Sequence, residues 1–322
     1  LMNSININIT SLELITVLGP TAVGKTKLAV KLAYELNGEI ISADSRQIYK
    51  GMDIGTGKDL NEYIINGKSI PYHLIDIIDP DKDYSVFNFQ TEFNKIYNRI
   101  NKNGKKTILC GGTGLYLDSI LFNYKFEQIN ANNKLRKKLD EKSKDELKKY
   151  FKKLDEKLYA NWNTDTKRRI IRGIELANSN AEPQTNSKPN EKFNRCVIGI
   201  KYDREIIRKR ITYRLKDRLD NGMIEEVQNL INNGLSINRL NYFGLEYKFV
   251  GKYLKGEINK EELFELLNIA IHQFAKRQSS WFRRMEKRGI KIFWIDEGSF
   301  DKAMKFISTF KINKSMDYNN DY

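Results

Sequence analysis

Gly19-Pro20-Thr21-Ala22-Val23-Gly24-Lys25-Thr26 lies between the apolar run Leu14 to Leu18 and a helical pattern from Lys25 to Leu36. It fits G-x-x-x-x-G-K-[ST] in the strand–loop–helix setting that this motif requires. The glycines let the loop wrap so that backbone N–H groups point inward as an anion nest. The helix N-terminus adds partial positive charge, and Lys25 supplies a full one. The Thr26 hydroxyl is the expected ligand of a Mg²⁺ that bridges two phosphates. Gly19, Pro20, Thr21, Ala22, Val23, Gly24, Lys25 and Thr26 are therefore expected to bind a diphosphate, which need not belong to ATP. No apolar strand further on ends in an acid suited to nucleotide hydrolysis, so a motor-type ATPase is not expected.

Working outward, strands alternate with amphipathic helices, as in a parallel sheet. Glu39 to Ser42, Tyr72 to Ile78 and Lys106 to Cys110 read as strands, and Ser85 to Ile100 as a helix with Phe89, Phe93, Ile96 and Ile100 at helical spacing. The character changes near Phe126: a Lys-rich helical stretch from Asn132 to Lys157 carries Leu147, Phe151, Leu154 and Leu158 as an apolar stripe. A polar segment, Asn178 to Asn190, precedes a further buried strand at Arg195 to Ile200. Helices then run over Arg204 to Asn221, Met223 to Asn233 and Lys260 to Arg288, before a strand at Lys291 to Ile295. The expected fold is α/β: a P-loop NTPase-like parallel sheet core flanked by helices, with a helical insertion domain. Residues 1–126 and 193–322 would form the core, and 127–192 the helical insertion.

With 322 residues, 40% of them hydrophobic and 11% aromatic, the chain can bury a large core, which excludes wholesale disorder. No run of about 18 apolar residues is present, so no membrane span is expected. Leu1 to Thr10 does not read as a secretory signal. Cys110 and Cys196 fall in apolar runs and read as buried thiols, which suits a reducing cytoplasm. His73 and His272 lack metal-ligand spacing with the cysteines, so no zinc is assigned. The formal charge of +15 suggests a polyanionic partner.

Ser42-Ala43-Asp44-Ser45-Arg46-Gln47-Ile48-Tyr49 leaves the carboxyl end of the second strand, where an open parallel sheet turns its residues toward the same crevice as the phosphate loop. Asp44 there can serve as a general base, or equally as a turn or helix-capping residue. Gly51-Met52-Asp53-Ile54-Gly55-Thr56-Gly57-Lys58 follows at once, and Gly111-Gly112-Thr113-Gly114-Leu115-Tyr116 ends another strand at the same edge.

Together these blocks resemble the tRNA dimethylallyltransferases, also called tRNA isopentenyltransferases, of the bacterial type without a zinc-finger extension. Tyr72-His73-Leu74-Ile75-Asp76-Ile77, Lys167-Arg168-Arg169-Ile170-Ile171-Arg172, Tyr202-Asp203-Arg204, Gly222-Met223-Ile224-Glu225-Glu226-Val227 and Ala275-Lys276-Arg277-Gln278 leading into Trp281-Phe282-Arg283 extend the likeness over most of the chain in order. The resemblance implies transfer of a dimethylallyl group from dimethylallyl diphosphate to N6 of the adenine 3′-adjacent to the tRNA anticodon, giving N6-isopentenyladenosine. It makes Asp44 the base, Thr113 an orienting hydroxyl and Lys25 the counter-charge to the leaving diphosphate. Asp44, Ser45, Arg46, Gln47 and Thr113 would meet the extruded adenine, which must be flipped out of its stack. It also implies tRNA contacts at Arg136, Arg168, Arg169, Ile170, Ile171, Arg172, Lys276, Arg277 and Gln278, with Ile170 and Ile171 packing inward. The expected partners are tRNA (its anticodon stem-loop) and dimethylallyl diphosphate, the cofactor Mg²⁺, the location the cytoplasm, and the assembly state a monomer. The family block written around Ile-Gly-Tyr appears here as Phe243-Gly244-Leu245-Glu246-Tyr247.

Arg208, Arg210, Arg214 and Arg218 are expected to face out from a helix whose Ile207, Ile211, Leu215 and Leu219 form the core stripe, and read either as lining an RNA groove or as a solvated face. The alternatives to tRNA prenylation are an isopentenyltransferase acting on free adenine nucleotides, a small-molecule P-loop kinase and a non-catalytic RNA-binding module.

Overall fold

The structure, a computed structural model, describes residues 12–122, 124, 133–179 and 188–310. The segment from Leu1 to Thr10 and most of the polar segment before Asn190 lie outside the described residues. Contacts divide the chain into two units, one formed by 1–122 with 188–322 and the other by 123–187.

The larger unit is built on a six-stranded sheet. Its strands are β1 (Leu14–Leu18), β2 (Gly38–Ala43), β5 (Tyr72–His73), β6 (Lys106–Gly111), β7 (Arg195–Lys201) and β8 (Phe293–Asp296), in the order β5-β2-β6-β1-β7-β8. Every pairing in it is parallel. A separate antiparallel ribbon joins β3 (Ile64–Ile65) to β4 (Lys68–Ser69). All five residues of β1 are buried, as a central parallel strand covered on both faces requires. Helix α1 (Lys25–Glu35) buries Leu28, Ala29, Val30, Leu32 and Ala33. Helix α2 (Val86–Lys102) begins in a reciprocal cap between Ser85 and Asn88 and buries Phe89, Phe93, Tyr97 and Ile100. Helix α3 (Gly114–Leu121) leaves the end of β6. Asn190 donates from its backbone to Leu121 O and from Nδ2 to Ile120 O, which ties the returning chain to this unit.

The smaller unit holds α4 (Asn133–Asp140), α5 (Lys144–Leu154), α6 (Glu156–Ala160) and α7 (Lys167–Ser179). One long helix was the expectation for Asn132 to Lys157; the chain is cut into three because Ser143 and Asp155 each cap a new helix from their side chains. Leu147, Phe151, Leu158, Ile170, Ile171 and Ile174 form its core. Leu147 and Phe151 are fully buried, each contributing roughly 1.5–3 kcal/mol. Leu154, expected in the same stripe, is exposed. Gly173 leaves room for the Phe151 ring, which any Cβ there would strike.

The larger unit continues through α8 (Arg204–Asp220), α9 (Met223–Asn232), α10 (Leu240–Phe243), α11 (Leu245–Leu254), α12 (Lys260–Lys287) and α13 (Phe300–Thr309). The strand expected from Tyr72 to Ile78 is only two residues long. Leu74 and Asp76 take left-handed backbone at φ 63° and 54°, which breaks the ladder before Ile78 bridges to Tyr49.

Candidate functional site

The phosphate loop leaves the carboxyl end of β1, between β6 and β7. Gly24 stands at φ 78° at the N-cap of α1 with no side-chain cap, a conformation that costs glycine little. Ala22 also adopts left-handed backbone, at φ 64°. Its carbonyl accepts a hydrogen bond of 2.7 Å from Arg210 Nε on α8. Lys25 Nζ donates to Pro20 O at 2.7 Å. Burial lowers the Lys25 pKa to about 8, with Cys110 and Asp44 raising it and the Arg214 cation lowering it further.

Asp44 follows β2 and stands close enough to Lys25 to act on its charge. Its Oδ1 accepts from Arg46 N–H at 2.9 Å, the local turn that short acids favour. Ser45 N–H donates to Thr113 Oγ1 at 3.0 Å, and Thr113 N–H to Ala43 O at 3.1 Å. Thus the ends of β2 and β6 are locked side by side, with Thr113 as the N-cap of α3. The Arg46 guanidinium lies 5.6 Å from the Tyr242 ring centroid. Gln47 turns inward: Ser42 Oγ donates to its Oε1 at 3.0 Å, and its Nε2 donates to Gly57 O at 3.1 Å.

Gln278 of α12 is buried, and both ends of its amide meet backbone. Thr21 N–H donates to its Oε1 at 2.9 Å, while its Nε2 donates to Gly112 O at 2.9 Å. Gln278 is therefore a clamp between the phosphate loop and the β6–α3 loop. Gly112 has no room for a Cβ against this amide, nor Gly114 against the Trp281 indole. Lys276 and Arg277 are exposed, with Arg277 5.9 Å from the Phe274 ring centroid.

The arginines of α8 do not form one outward face. Arg208 is exposed, but Arg210 engages Ala22 O, Arg214 pairs with Asp59 at 2.6 Å, and Arg218 donates to Gly55 O at 3.4 Å beside Glu246 at 3.9 Å. Burial raises the Glu246 carboxyl and lowers the Arg218 guanidinium from their ordinary values. The expected apolar stripe did not reveal this, because these arginines flank it rather than oppose it.

In the smaller unit, Arg168 and Arg169 are exposed at the start of α7, and Arg169 lies 3.4 Å from Asp165. Ile170 and Ile171 are buried, as expected, and support the helix from beneath. Arg136 grips the buried carboxylate of Glu175 with two bonds of 2.6 and 3.0 Å, and Arg172 reaches the same carboxylate at 3.1 Å.

A cavity of about 590 Å³ between α2 and residues 72–84 is lined by His73, Tyr84, Asn88, Glu92 and Arg99, and by no residue of the phosphate loop, Asp44–Gln47, Thr113 or Gln278. Among the described residues no cluster of His, Cys, Asp and Glu is arranged to hold a metal, and no helix is long and apolar enough to cross a membrane.

The profile of the family described as IPP transferase matches residues 47–285, and that of isopentenyl transferase matches 12–76. A tRNA dimethylallyltransferase of Azobacteroides pseudotrichonymphae is 53% identical, over 88% of this chain and 93% of its own length. The chain belongs to the tRNA dimethylallyltransferase family. Another member, from Bacteroides fragilis, is 50% identical over 88% of this chain and 92% of its own. Among solved structures, the tRNA isopentenylpyrophosphate transferase of Bacillus halodurans matches with a TM-score of 0.66 at 33% identity, covering 92% of this chain and 94% of its own. A eukaryotic dimethylallyltransferase acting on tRNA, 24% identical, shares the fold at a TM-score of 0.75, with 91% and 75% of the two chains covered. In this family setting, the six-stranded parallel sheet with flanking helices is the α/β architecture expected from the sequence.

Proposed function

We propose that this chain transfers the dimethylallyl group of dimethylallyl diphosphate to N6 of the adenine 3′-adjacent to the anticodon in tRNA. The observation that carries the reading is the meeting of three strand ends: the phosphate loop after β1, Asp44 after β2 and Thr113 after β6. Lys25 and the loop amides hold the diphosphate, whose charge grows as the bond between the allylic carbon and oxygen breaks. The adenine N6 lone pair forms the new bond to that carbon. Asp44 takes the proton that N6 sheds, and Thr113 holds Ser45 and the turn in place. The arrangement favours bond-breaking by stabilising the leaving group, and attack by removing the proton from a weakly nucleophilic amine.

The Thr26 hydroxyl would hold a Mg²⁺ together with oxygens of the bound diphosphate, a hard donor set that suits this ion. When bound, that ion would supply extra charge for the departing diphosphate. Arg210 and Arg214 face the phosphate loop and the Lys25 charge from α8 and complete the cationic wall. Within the smaller unit, Arg168 and Arg169 offer exposed cations for tRNA phosphates, whereas Arg136 and Arg172 order that unit through Glu175. In the larger unit Lys276 and Arg277 offer two more. We place the protein in the cytoplasm, where its tRNA substrate resides, acting as a monomer.

Labelled dimethylallyl diphosphate offered with tRNA and, separately, with AMP or ATP tests this reading. Label is expected in tRNA, at an adenine beside the anticodon. Label appearing only in the free nucleotide would overturn it in favour of a nucleotide isopentenyltransferase.

A further inference from the structure

The glycine-rich segment 51–59 takes no direct part in the chemistry above, yet it is gripped from two sides. On one side, three successive backbone amides, of Asp53, Ile54 and Gly55, donate to the Glu226 carboxylate of α9 at 2.7, 2.6 and 3.0 Å. Consecutive amides converging in this way make an anion nest, of the kind that elsewhere takes phosphate. Here a carboxylate from the same chain fills it. The Tyr247 hydroxyl donates to that carboxylate as well, at 2.7 Å. Four donors on one carboxylate form a charge-assisted set, each bond stronger than a neutral pair.

The glycines are the condition for this approach. A Cβ on Gly55 would stand 2.7 Å from the Tyr247 ring, and one on Gly57, already at φ 63°, would strike the Arg214 and Arg218 guanidinium groups.

On the other side the segment holds the turn that carries the base. Gly57 O accepts from Gln47 Nε2 at 3.1 Å. The buried Lys58 ammonium bonds Tyr49 O at 2.6 Å, Asp53 at 2.7 Å and also Asp76, whose own N–H donates to Gln47 O at 3.0 Å. Glu226, segment 53–58 and Gln47 are thus linked in series to the turn of Asp44 and Ser45.

We propose that Glu226 is a positioning residue for the transfer: by filling the nest it keeps segment 51–59 in the conformation that seats Gln47, and with it the Asp44–Gln47 turn, against the adenine. This rests on the activity proposed above. A carboxylate with a purely architectural role would change the melting temperature and leave the turnover of folded molecules alone. One that positions the turn acts on kcat, because small displacements of reacting groups are costly, whereas tRNA affinity comes mainly from phosphate contacts elsewhere.

The test uses the full chain with tRNA and dimethylallyl diphosphate both varied, on protein verified as folded by circular dichroism. Glu226→Gln keeps the shape but sets an amide NH₂ against the nest. It is expected to lower kcat by about tenfold to a hundredfold with both KM values within about threefold of wild type, and Glu226→Asp to restore part of the loss. A kcat per folded molecule within about twofold of wild type, or a loss confined to KM, would overturn the proposal. Combining Glu226→Gln with Gln47→Ala should cost little more than Gln47→Ala alone, since both act through one contact; full additivity would also overturn it. If Glu226→Gln does not fold, Tyr247→Phe removes a single donor from the carboxylate and should still lower kcat by about threefold, an unchanged kcat counting against the proposal. A wild type that labels only a free nucleotide sinks the tRNA reading, and the Glu226→Gln effect on kcat is then measured on that acceptor.

Discussion

On α7, Arg168 and Arg169 stand on the exposed side of a helix whose Ile170, Ile171 and Ile174 are buried, whereas on α8 Arg210, Arg214 and Arg218 reach backbone carbonyls and acids of neighbouring loops. Both helices carry arginines beside an apolar stripe. The difference is what each helix packs against. α7 leaves its outward cations exposed, where phosphates can reach them. α8 sits against the phosphate loop and segment 51–59, whose turns leave carbonyls that no ladder satisfies. In the proposed transfer, the α7 cations raise affinity for a polyanion, whereas those of α8 hold the loops around the phosphate site.

That contrast can be broken at several points. The largest effect is expected at the base itself: Asp44→Asn should lower kcat by about two to four orders of magnitude while tRNA binding survives, measured by single-turnover transfer and filter binding. Retained turnover there would remove the inner region from the chemistry.

The next effect is proton-linked. Lys25 is lowered to about 8 by its burial, and a bound diphosphate stabilises the ammonium and raises that value. Donor binding must then take up a proton above pH 8, so donor affinity should fall toward tenfold per pH unit there, and be flat below it. Calorimetry in two buffers of different ionisation enthalpy measures the uptake. Lys25→Arg, charged throughout, should abolish the slope.

The smallest effects separate the two arginine sets most directly. Arg169→Ala should weaken tRNA binding by a few-fold and reduce the slope of log affinity against log salt by about one, with kcat at saturation unchanged. Arg210→Ala should leave that slope alone and lower turnover instead. A crossing of the two outcomes would show that the inner and outer roles are wrongly assigned.

Much of the site was legible before any fold was known. The phosphate loop could be read from spacing alone, since wrapping a diphosphate in backbone amides needs glycines and one lysine in that pattern. The ordered blocks that carry the family likeness placed Asp44 and Thr113 in the same site. Gln47 and Gln278 were legible as positions, but their bridging of two backbone segments was not: an amide has no sequence signature for the partner it takes, and only the packing shows it. Glu226 was visible only as part of a family block. Its partners are backbone amides, which have no signature in the sequence beyond the glycines at 55 and 57.

The amino-acid sequence alone determined the parallel sheet, most of its strands and helices and the glycine-rich loop after β1, because periodicity, turn chemistry and motif spacing act over short stretches of chain. Tertiary structure decided where long-range polar groups end. It turned Leu74 and Asp76 out of a strand, bonded Arg210, Arg214 and Arg218 to neighbouring loops, and set Glu226 into the amides of residues 53–55. The physical reason is that a buried charge or carbonyl must find a partner, and in a folded chain that partner is chosen by proximity in space.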